Sequence, residues 1–364
     1  MDNQLLLIMG GHNQEMSKLR IKSSDGSYEV LIGLSLHPGQ LNEAGAILID
    51  EAVVPLLQLS GSNLIILRAN ENNKTLGEVE QVILQMKELG LNRGSTVVAV
   101  GGGFVQDIAT LACALFMRGI VWSYIPTTFM AMVDSSIGGK SSINVSRFKN
   151  LIGNFYPPKD IQIDLTFTKS LNQSAIACGM LEAIKICYAR GPEEFSTFLN
   201  LRKKALDLNT PEGEELVTHI LQSKKWFIEF DEFDTGARQL LNFGHTFGHA
   251  LEAATSFKIP HGIAIGLGML AALDFEQSQT TQLEEELVGG IRAILEPVQP
   301  LIAAGATTFD TTTFKNAFAG DKKNTDEYFR PVLSFEGNLQ LVKIPRSDDV
   351  LNRVTASMKK VMNS

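Results

Sequence analysis

The sequence predicts an α/β domain with a parallel sheet over residues 1–165, followed by a mostly α-helical domain over residues 166–364. Up to about residue 165, short apolar runs typical of buried strands alternate with segments of helical period. Beyond that point helical periodicity dominates. A chain of 364 residues is long enough for two hydrophobic cores. We expect a ligand site in the cleft between the two domains.

The first domain is predicted to begin with a β-hairpin, because strands of alternating polarity flank the Asp25-Gly26 turn in SKLRIKSSDGSYEVLIG. The apolar runs AILID, NLIILRA, TVVAV and VWSYIPTT follow as buried strands. Helical segments lie among them in LGEVEQVILQMKELGL and QDIATLACALFMRG. This alternation predicts a parallel sheet covered on both faces.

The second domain is predicted to consist mainly of helices. Helical periodicity marks four segments, residues 172–191, 214–230, 238–256 and 262–277. Strand patterns are scarce in this half, so we expect few strands there.

The composition is that of a soluble globular protein, with 44% hydrophobic and 20% charged residues. The net charge of −8 argues against nucleic acid as a partner, because phosphate binding needs a basic face. Cys113, Cys178 and Cys187 have apolar neighbours and no CxxC spacing, which predicts buried free thiols in a reducing compartment. We expect no signal peptide, no membrane span and a cytoplasmic location.

A glycine turn lies between a predicted strand and a predicted helix in VVAVGGGFVQDIA. Glycines there let backbone N–H groups approach a phosphate at a helix N-terminus. A nucleotide site and a plain tight turn are both compatible with this pattern. The stretch is not the GxGxxG fingerprint, so that motif's inference does not apply.

Three of the six histidines lie within LNFGHTFGHALEAATSFKIPHG. His245 and His249 are four residues apart and therefore share a helix face, and His261 follows a turn. Together they could bind zinc if a carboxylate completes the set, and Glu182 in the apolar segment GMLEAIKI is the best candidate. In the alternative interpretation the histidines pack or cap helices, and Glu182 pairs with Lys185.

Polar and basic residues occur at several positions where apolar ones would be easier to bury. Each alone is more often a solvated surface charge, but if several converge they suit a substrate with phosphate and carboxylate groups. The residues are Arg118, Asp134, Lys140, Asn144, Lys149, Asn150, Lys224, Arg238, Asn242, Lys322 and Lys323.

The chain resembles the 3-dehydroquinate synthases and, more broadly, the sugar phosphate cyclase superfamily. The resemblance is carried by GGGFVQDIA, MRGI, PTTFMAMVDSSIGGKSSIN, KNLIGNFYPP, GMLEAIK and LNFGHTFGHALE with a following HG. These motifs are nearly continuous from about residue 95 to 265, with DKK as a weaker later match.

The resemblance implies an enzyme with bound NAD and a divalent metal, zinc or cobalt. The metal ligands it implies are Glu182, His245 and His261, with His249 facing the substrate. The implied NAD contacts are Asp50, Glu71, Lys74, Gly102, Gly103, Asp107, Thr127, Thr128, Asp134, Lys140, Lys149 and Ser170. The implied substrate contacts are Arg118, Lys140, Lys149, Asn150, Lys185, Lys224, Arg238, Asn242, His249 and Lys323. Among these, the implied catalytic residues are Asp134, Lys140, Lys185, Asn242 and His249.

The reaction implied by the resemblance is a lyase-type cyclisation. A ring hydroxyl is oxidised transiently by NAD, phosphate leaves by β-elimination, the ketone is reduced again, and an aldol step closes the ring. The substrate is a phosphorylated sugar acid, and the family resemblance also implies a homodimer.

The retained Arg238 and Asn242 favour 3-dehydroquinate synthase, because relatives whose substrates lack a carboxylate tend to lose both. The nearest alternative is a sibling cyclase, acting on sedoheptulose 7-phosphate, a hexose 6-phosphate or an amino analogue. A metal-dependent NAD polyol dehydrogenase is a second alternative, and a non-catalytic descendant is a third. The chain departs from the family at Ile263, where a glutamate is common, and this departure predicts the loss of a partner of a metal ligand. A second departure is a shorter segment between AILID and ENNK.

Overall fold

The computed structural model describes residues 17–364 except residues 25, 34, 37, 60, 147 and 277–279. The described chain divides into two compact units. The α/β unit comprises the described residues up to Lys169 together with Asp207–Glu214, and the helical unit comprises Ser170–Leu206 and Glu215–Ser364.

A seven-stranded sheet forms the centre of the α/β unit. Its strands, with two further short ones, are β1 (Ser17–Ser23), β2 (Gly26–Ile32), β3 (Ala46–Asp50), β4 (Leu64–Leu67), β5 (Thr96–Gly101), β6 (Val121–Pro126), β7 (Ile143–Val145), β8 (Phe148–Ile152) and β9 (Asp160–Ile163). The order in the sheet is β1-β2-β9-β6-β5-β3-β4. Every neighbouring pair is parallel except β1 with β2, so the predicted parallel sheet is confirmed.

The predicted hairpin is confirmed as β1 and β2, which pair from Ser17 with Ile32 to Ser23 with Gly26. Asp25, at the predicted turn, lies outside the described residues. Strands β7 and β8 form a separate antiparallel pair that sequence analysis did not single out.

The described helices of the α/β unit are α1 (Val54–Leu57), α2 (Leu76–Glu88) and α3 (Gly103–Leu115). The side chain of Thr75 caps α2 by accepting a hydrogen bond from the Glu78 N–H. Helix α3 begins directly at the glycine turn, with Gly102 as its N-cap. Both longer helices were predicted, and each ends a few residues before the predicted boundary.

The helical unit confirms the second half of the predicted fold class. Its helices are α4 (Gln173–Arg190), α5 (Pro192–Lys204), α6 (Pro211–Phe230), α7 (His245–Ala254), α8 (His261–Glu276), α9 (Gln282–Leu295), α10 (Gln299–Ala306), α11 (Thr311–Ala319) and α12 (Asp348–Met362). Four short strands form two antiparallel pairs, β10 (Tyr328–Phe329) with β13 (Ile344–Pro345), and β11 (Val332–Phe335) with β12 (Asn338–Leu341).

The predicted single helix over residues 238–256 is wrong. A 3-10 helix, Ala237–Asn242, is separated from α7 by Gly244, whose φ of +78° is left-handed backbone that favours glycine. A β-carbon on Gly244 would also lie 2.8 Å from the carbonyl oxygen of Ile265.

Close helix packing around α8 brings three helices together. A β-carbon on Gly262 would lie 2.4 Å from the Cys178 backbone of α4, and one on Gly268 would lie 2.2 Å from the carbonyl oxygen of Gly244. Because these positions lack side chains, α8 lies directly against α4 and against the start of α7. The residues on these three helices can therefore meet.

The predicted free cysteines are confirmed, since Cys113, Cys178 and Cys187 are unbonded and buried. Within the described residues, the stretch Gln282–Ala306 is apolar and long enough to pass for a membrane span by length and composition. This stretch comprises α9, a 3-10 turn at Glu296–Val298 and α10. Core helices of soluble proteins meet the same criterion, so this is weak evidence for a span.

Candidate active site

A buried glutamate on α4 lies against the histidine cluster. Glu182 is fully buried, and its Oε2 accepts a hydrogen bond from Lys185, one turn further along α4. Its Oε1 lies 3.8 Å from His245 Nε2 and 3.5 Å from His261 Nε2. The pairing with Lys185 and the approach to the histidines, which were alternative interpretations of the sequence, therefore coexist.

The three imidazoles of the predicted cluster meet in the helical unit. His245 and His249 lie one turn apart on α7, and His261 is the first residue of α8. Their ring centroids are 5.3–5.6 Å apart. A ring nitrogen from each of the three lies within 4.8 Å of those of the other two.

Hydrogen bonds orient two of these rings in the same way. The Nδ1 of His245 lies 3.3 Å from the carbonyl oxygen of Phe243, and the Nδ1 of His261 lies 3.1 Å from Oε2 of Glu252. Carbonyl and carboxylate oxygens only accept, so each Nδ1 donates its proton. Both Nε2 atoms consequently face the same oxygen of Glu182.

The charges of the cluster favour a cation. Burial and the nearby Lys185 lower the pKa of His245 well below its usual range, so its imidazole is neutral, the form that binds metals. Burial also disfavours charge on His261, but its hydrogen bonds to Glu182 and Glu252 raise its pKa to about 10. The positive charge of His261 thus lies between two carboxylates, at a place where a metal ion would displace a proton.

The spacing of the donor atoms fits a divalent metal. Ligand atoms at tetrahedral positions around zinc, each about 2.1 Å from the ion, are about 3.4 Å from one another. The observed separations of 3.5 and 3.8 Å between Glu182 Oε1 and the two Nε2 atoms are close to this value. One carboxylate and two neutral imidazoles also form a common zinc ligand set.

Further predicted residues lie in the same unit. Lys323 pairs with Asp321 at 2.9 Å, and both interact electrostatically with His249, whose side chain is exposed. Lys224 on α6 is buried. Asp321 was not identified from the sequence, because an aspartate beside two lysines is typical of a solvated loop.

The buried Arg238 lies on the 3-10 helix Ala237–Asn242, which ends three residues before His245. Its backbone N–H donates to Asp231 Oδ2 at 3.0 Å, and the same oxygen accepts from the Gly236 N–H at 2.7 Å. Burial opposes charge on Asp231, but hydrogen bonds from Thr235, Gly236 and Arg238 lower its pKa. An ionised Asp231 therefore holds the loop that carries Arg238.

In the α/β unit, predicted residues gather where β3, β5 and β6 end. Gly101 ends β5, and its carbonyl accepts from the Thr127 N–H at 3.0 Å. A β-carbon on Gly102 would lie 2.9 Å from Thr128. Asp50 ends the neighbouring β3, which pairs with β5 in parallel. Ligands of open α/β sheets bind at this carboxyl edge.

A polar network joins three separate stretches of the α/β unit. Lys74 Nζ lies 2.7 Å from Asp107 Oδ2 and 3.0 Å from Asn150 Oδ1. Asn144 donates to Glu71 at 2.8 Å and accepts from the Asn150 N–H at 2.9 Å. Lys149 lies 3.8 Å from Glu71. Burial raises the pKa of Asp107 to about 6, although Lys74 opposes this shift.

Asp134 lies on a short π-helix, Ala131–Ser135, a rare element that often marks functional sites. Gln106 of α3 holds this segment by donating to the Ser135 carbonyl and accepting from the Ser135 hydroxyl, each at 2.6 Å. No pattern in the sequence indicates this role of Gln106, because its partner lies on another element. Lys140, further on, lies 5.8 Å from the centroid of the Phe155 ring.

Arg118, a predicted substrate contact, lies in the 3-10 helix Phe116–Arg118 that follows the C-terminal end of α3. Ser170 ends the 3-10 helix Leu165–Ser170 and is grouped with the helical unit. The predicted substrate residues are thus divided between the two units, and their convergence stays a prediction.

Solved structures of two sugar phosphate cyclases share the fold of this chain. The 2-deoxy-scyllo-inosose synthase complexed with carbaglucose-6-phosphate, NAD+ and Co2+ has a TM-score of 0.77 and 20% identity, covering 94% of this chain and 99% of that one. The 2-epi-5-epi-valiolone synthase from Streptomyces hygroscopicus subsp. jinggangensis 5008, with NAD+ and Zn2+ bound, has a TM-score of 0.77 and 22% identity, covering 95% and 99%.

The chain itself belongs to the 3-dehydroquinate synthase family. The family models described as 3-dehydroquinate synthase N-terminal and C-terminal match residues 64–178 and 179–324. The 3-dehydroquinate synthase of Pyrobaculum aerophilum is 35% identical over 308 residues, covering 84% of this chain and 87% of that protein. The predicted family and its enzyme class, the phosphate-eliminating carbon–oxygen lyases, are confirmed.

Proposed function

We propose that this protein is an NAD- and metal-dependent 3-dehydroquinate synthase in the cytoplasm. It would convert 3-deoxy-D-arabino-heptulosonate 7-phosphate to 3-dehydroquinate and phosphate. The observation that carries the proposal is the approach of Glu182 Oε1 to His245 Nε2 and His261 Nε2, at 3.8 and 3.5 Å. A metal centre of this composition suits the activation of a substrate hydroxyl.

Glu182, His245 and His261 would hold the metal, and Lys185 orients Glu182 by binding its other oxygen. When bound, the metal supplies a Lewis acid and NAD a hydride acceptor. His249, exposed beside the cluster, would bind a substrate oxygen and exchange a proton with it.

The cofactor would lie at the carboxyl edge of the sheet in the α/β unit. The glycine turn and the N-terminus of α3 suit its pyrophosphate. Asp107 lies on α3, the helix that begins at the glycine turn, and its network with Lys74, Asn150 and Glu71 would offer charged and amide groups to ribose hydroxyls. Asp50 ends β3, and Thr127 and Thr128 follow β6, so these residues flank the end of β5 on its two sides.

Basic and amide side chains would bind the two anionic groups of the proposed substrate, its carboxylate and its phosphate. Arg238 and Asn242 would bind the carboxylate, with Lys224 as a further cation. Lys140 and Lys323 would stabilise the negative charge that develops as phosphate leaves. The presence of both Arg238 and Asn242, which relatives with carboxylate-free substrates tend to lose, favours the sugar acid over the substrates of sibling cyclases.

The test is a panel of sugar phosphates assayed with NAD and zinc or cobalt. We expect phosphate release from 3-deoxy-D-arabino-heptulosonate 7-phosphate without net formation of NADH. Release from sedoheptulose 7-phosphate or a hexose 6-phosphate instead would identify a sibling cyclase. Stoichiometric NADH without phosphate release would identify a polyol dehydrogenase and refute the proposal.

We further propose that the enzyme is a homodimer, as the family resemblance implies. Light scattering should then give twice the chain mass of 39.8 kDa. A mass equal to that of one chain at assay concentration would refute this part alone.

A further inference from the structure

Glu252 is a buried carboxylate that the proposed reaction leaves without a role. It lies on α7, seven residues after His245 and three after His249, so all three side chains share one helix face. Its side chain is 11% exposed. Burying a carboxylate in this way is costly unless it is paired or hydrogen-bonded.

Helix stability does not account for this position. Glu252 lies in the last turn of α7, where the helix dipole disfavours a negative charge. The stabilising partner comes instead from another helix, because Oε2 of Glu252 lies 3.1 Å from Nδ1 of His261 at the start of α8.

This contact determines which nitrogen of His261 is free to bind. The carboxylate accepts the Nδ1 proton, which leaves Nε2 directed at Oε1 of Glu182, 3.5 Å away. Without the contact, the ring could rotate about its side-chain torsions, and the proton could move to Nε2.

The two candidate histidine ligands differ in their outer partners. His245 is held by the neutral carbonyl of Phe243 at 3.3 Å, whereas His261 is held by a full negative charge. A carboxylate partner increases the donor strength of the opposite ring nitrogen more than a carbonyl does. His261 is therefore the ligand whose strength depends on a titratable side chain.

We propose that Glu252 is a positioning residue of the metal centre, which fixes the ring of His261 and strengthens Nε2 as a ligand. The inference rests on the metal centre of the proposed function. The isoleucine at position 263 predicted that a metal ligand lacks a hydrogen-bonding partner. Residue 263 is indeed a buried isoleucine, but Glu252 on α7 provides such a partner for His261.

The experiment measures Co2+ affinity of the full chain after metal removal, by competition with a coloured chelator and by the visible absorption of bound Co2+. The change Glu252→Gln keeps the size and an accepting oxygen but removes the charge. Glu252→Ala removes the contact. We expect affinity about 10-fold weaker for the first and up to about 100-fold weaker for the second, with altered Co2+ absorption.

Glu284→Gln is the matched control. Glu284 is also a buried glutamate of the helical unit, and it accepts from Ser334, Thr281 and Gly337 instead of a histidine. This change should lower the thermal midpoint but leave the Co2+ affinity of the folded protein unaltered. A purely structural role for Glu252 would give the same pattern as the control.

The possible results distinguish a failure of this inference from a failure of the proposed metal centre. Equal Co2+ affinity and absorption in the unchanged protein and Glu252→Gln overturns the inference, even if phosphate release confirms the proposed function. Weaker Co2+ binding by Glu252→Gln supports the inference whichever sugar phosphate proves to be the substrate. Failure of the unchanged protein to bind Co2+ overturns both the inference and the metal centre.

Discussion

At the scale of single residues, His261 has the most demanding position, since its two ring nitrogens face two different glutamates. We expect His261→Ala to weaken metal binding at least about 100-fold and to reduce phosphate release to background, because one ligand is lost outright. Metal content and phosphate release are measured on the same sample.

His219→Ala is the control for this change. Its imidazole bonds the Glu194 carbonyl at 2.8 Å in the same unit, away from the cluster, so metal and activity should both be retained. Full activity of metal-free His261→Ala protein would end the metal hypothesis.

Replacing Arg238 tests whether the substrate carries a carboxylate. Replacement by alanine should lower kcat/KM for the sugar acid phosphate by about 30- to 150-fold, the loss expected for a buried arginine–carboxylate contact. The comparison variant is Arg190→Ala, which removes an arginine that stacks on Trp226 at 4.6 Å and pairs with Glu194. An unaltered kcat/KM for Arg238→Ala would favour a sibling cyclase.

Asp107 makes the stability of the α/β unit depend on pH. Burial raises its pKa from 3.8 to about 6, so within this range the folded state holds more protons than the unfolded state. Stability therefore falls as pH rises through this window, by on the order of 2–3 kcal/mol. We expect the unfolding free energy of the unchanged protein, relative to Asp107→Asn, to decrease in urea titrations from about pH 4 to pH 7. If the stability relative to Asp107→Asn rises with pH instead, the pKa of Asp107 is not raised in the folded protein.

At the scale of elements, the packing of α8 against the start of α7 depends on glycine. Gly268→Ala would place a methyl group 2.2 Å from the Gly244 carbonyl oxygen and 2.8 Å from the Gly248 nitrogen. We expect a loss of about 1–3 kcal/mol in the free energy of unfolding, together with weaker metal binding, because α7 carries two of the histidines.

Gly289→Ala provides the matched change within a helix. Nothing lies within 4 Å of a β-carbon at this exposed position of α9, so the substitution should stabilise the protein by about 0.5–1 kcal/mol through helix propensity. Denaturation with urea measures both variants. Equal effects of the two substitutions would contradict the packing described here.

The elements also show what local patterns can and cannot predict. The spacing of His245 and His249 predicted a shared helix face, because that relation is internal to one helix. The same face includes Glu252, but its partner His261 lies on the next helix, so no spacing in the sequence indicates the contact. The break at Gly244 was missed because LLNFGHTF keeps helical periodicity across it, and only the packing against α8 requires the left-handed turn.

At the scale of the whole molecule, the two candidate sites differ in how far the sequence predicts them. The alternation of strands and helices and the glycine turn indicated the candidate nucleotide site from local patterns. The metal cluster instead draws on the consecutive helices α7 and α8 and on α4, which α5 and α6 separate from them in the chain. Histidine spacing and a glutamate in an apolar segment indicated its members, and the family resemblance implied their roles. No sequence pattern indicated the packing glycines that bring them together. Each ligand should consequently protect its own unit.

Hydrogen–deuterium exchange tests this separation. Co2+ at about 100 times its Kd should stabilise the folded state by about 2.7 kcal/mol and slow exchange in α4, α7 and α8. NAD should slow exchange around the glycine turn and around residues 71–74 and 142–150 of the polar network. His261→Ala should lose the protection by Co2+ and keep that by NAD, because its imidazole belongs only to the helical unit's cluster. Protection of the glycine turn by Co2+ alone, without effect on the three helices, would place the metal elsewhere and contradict the site described here.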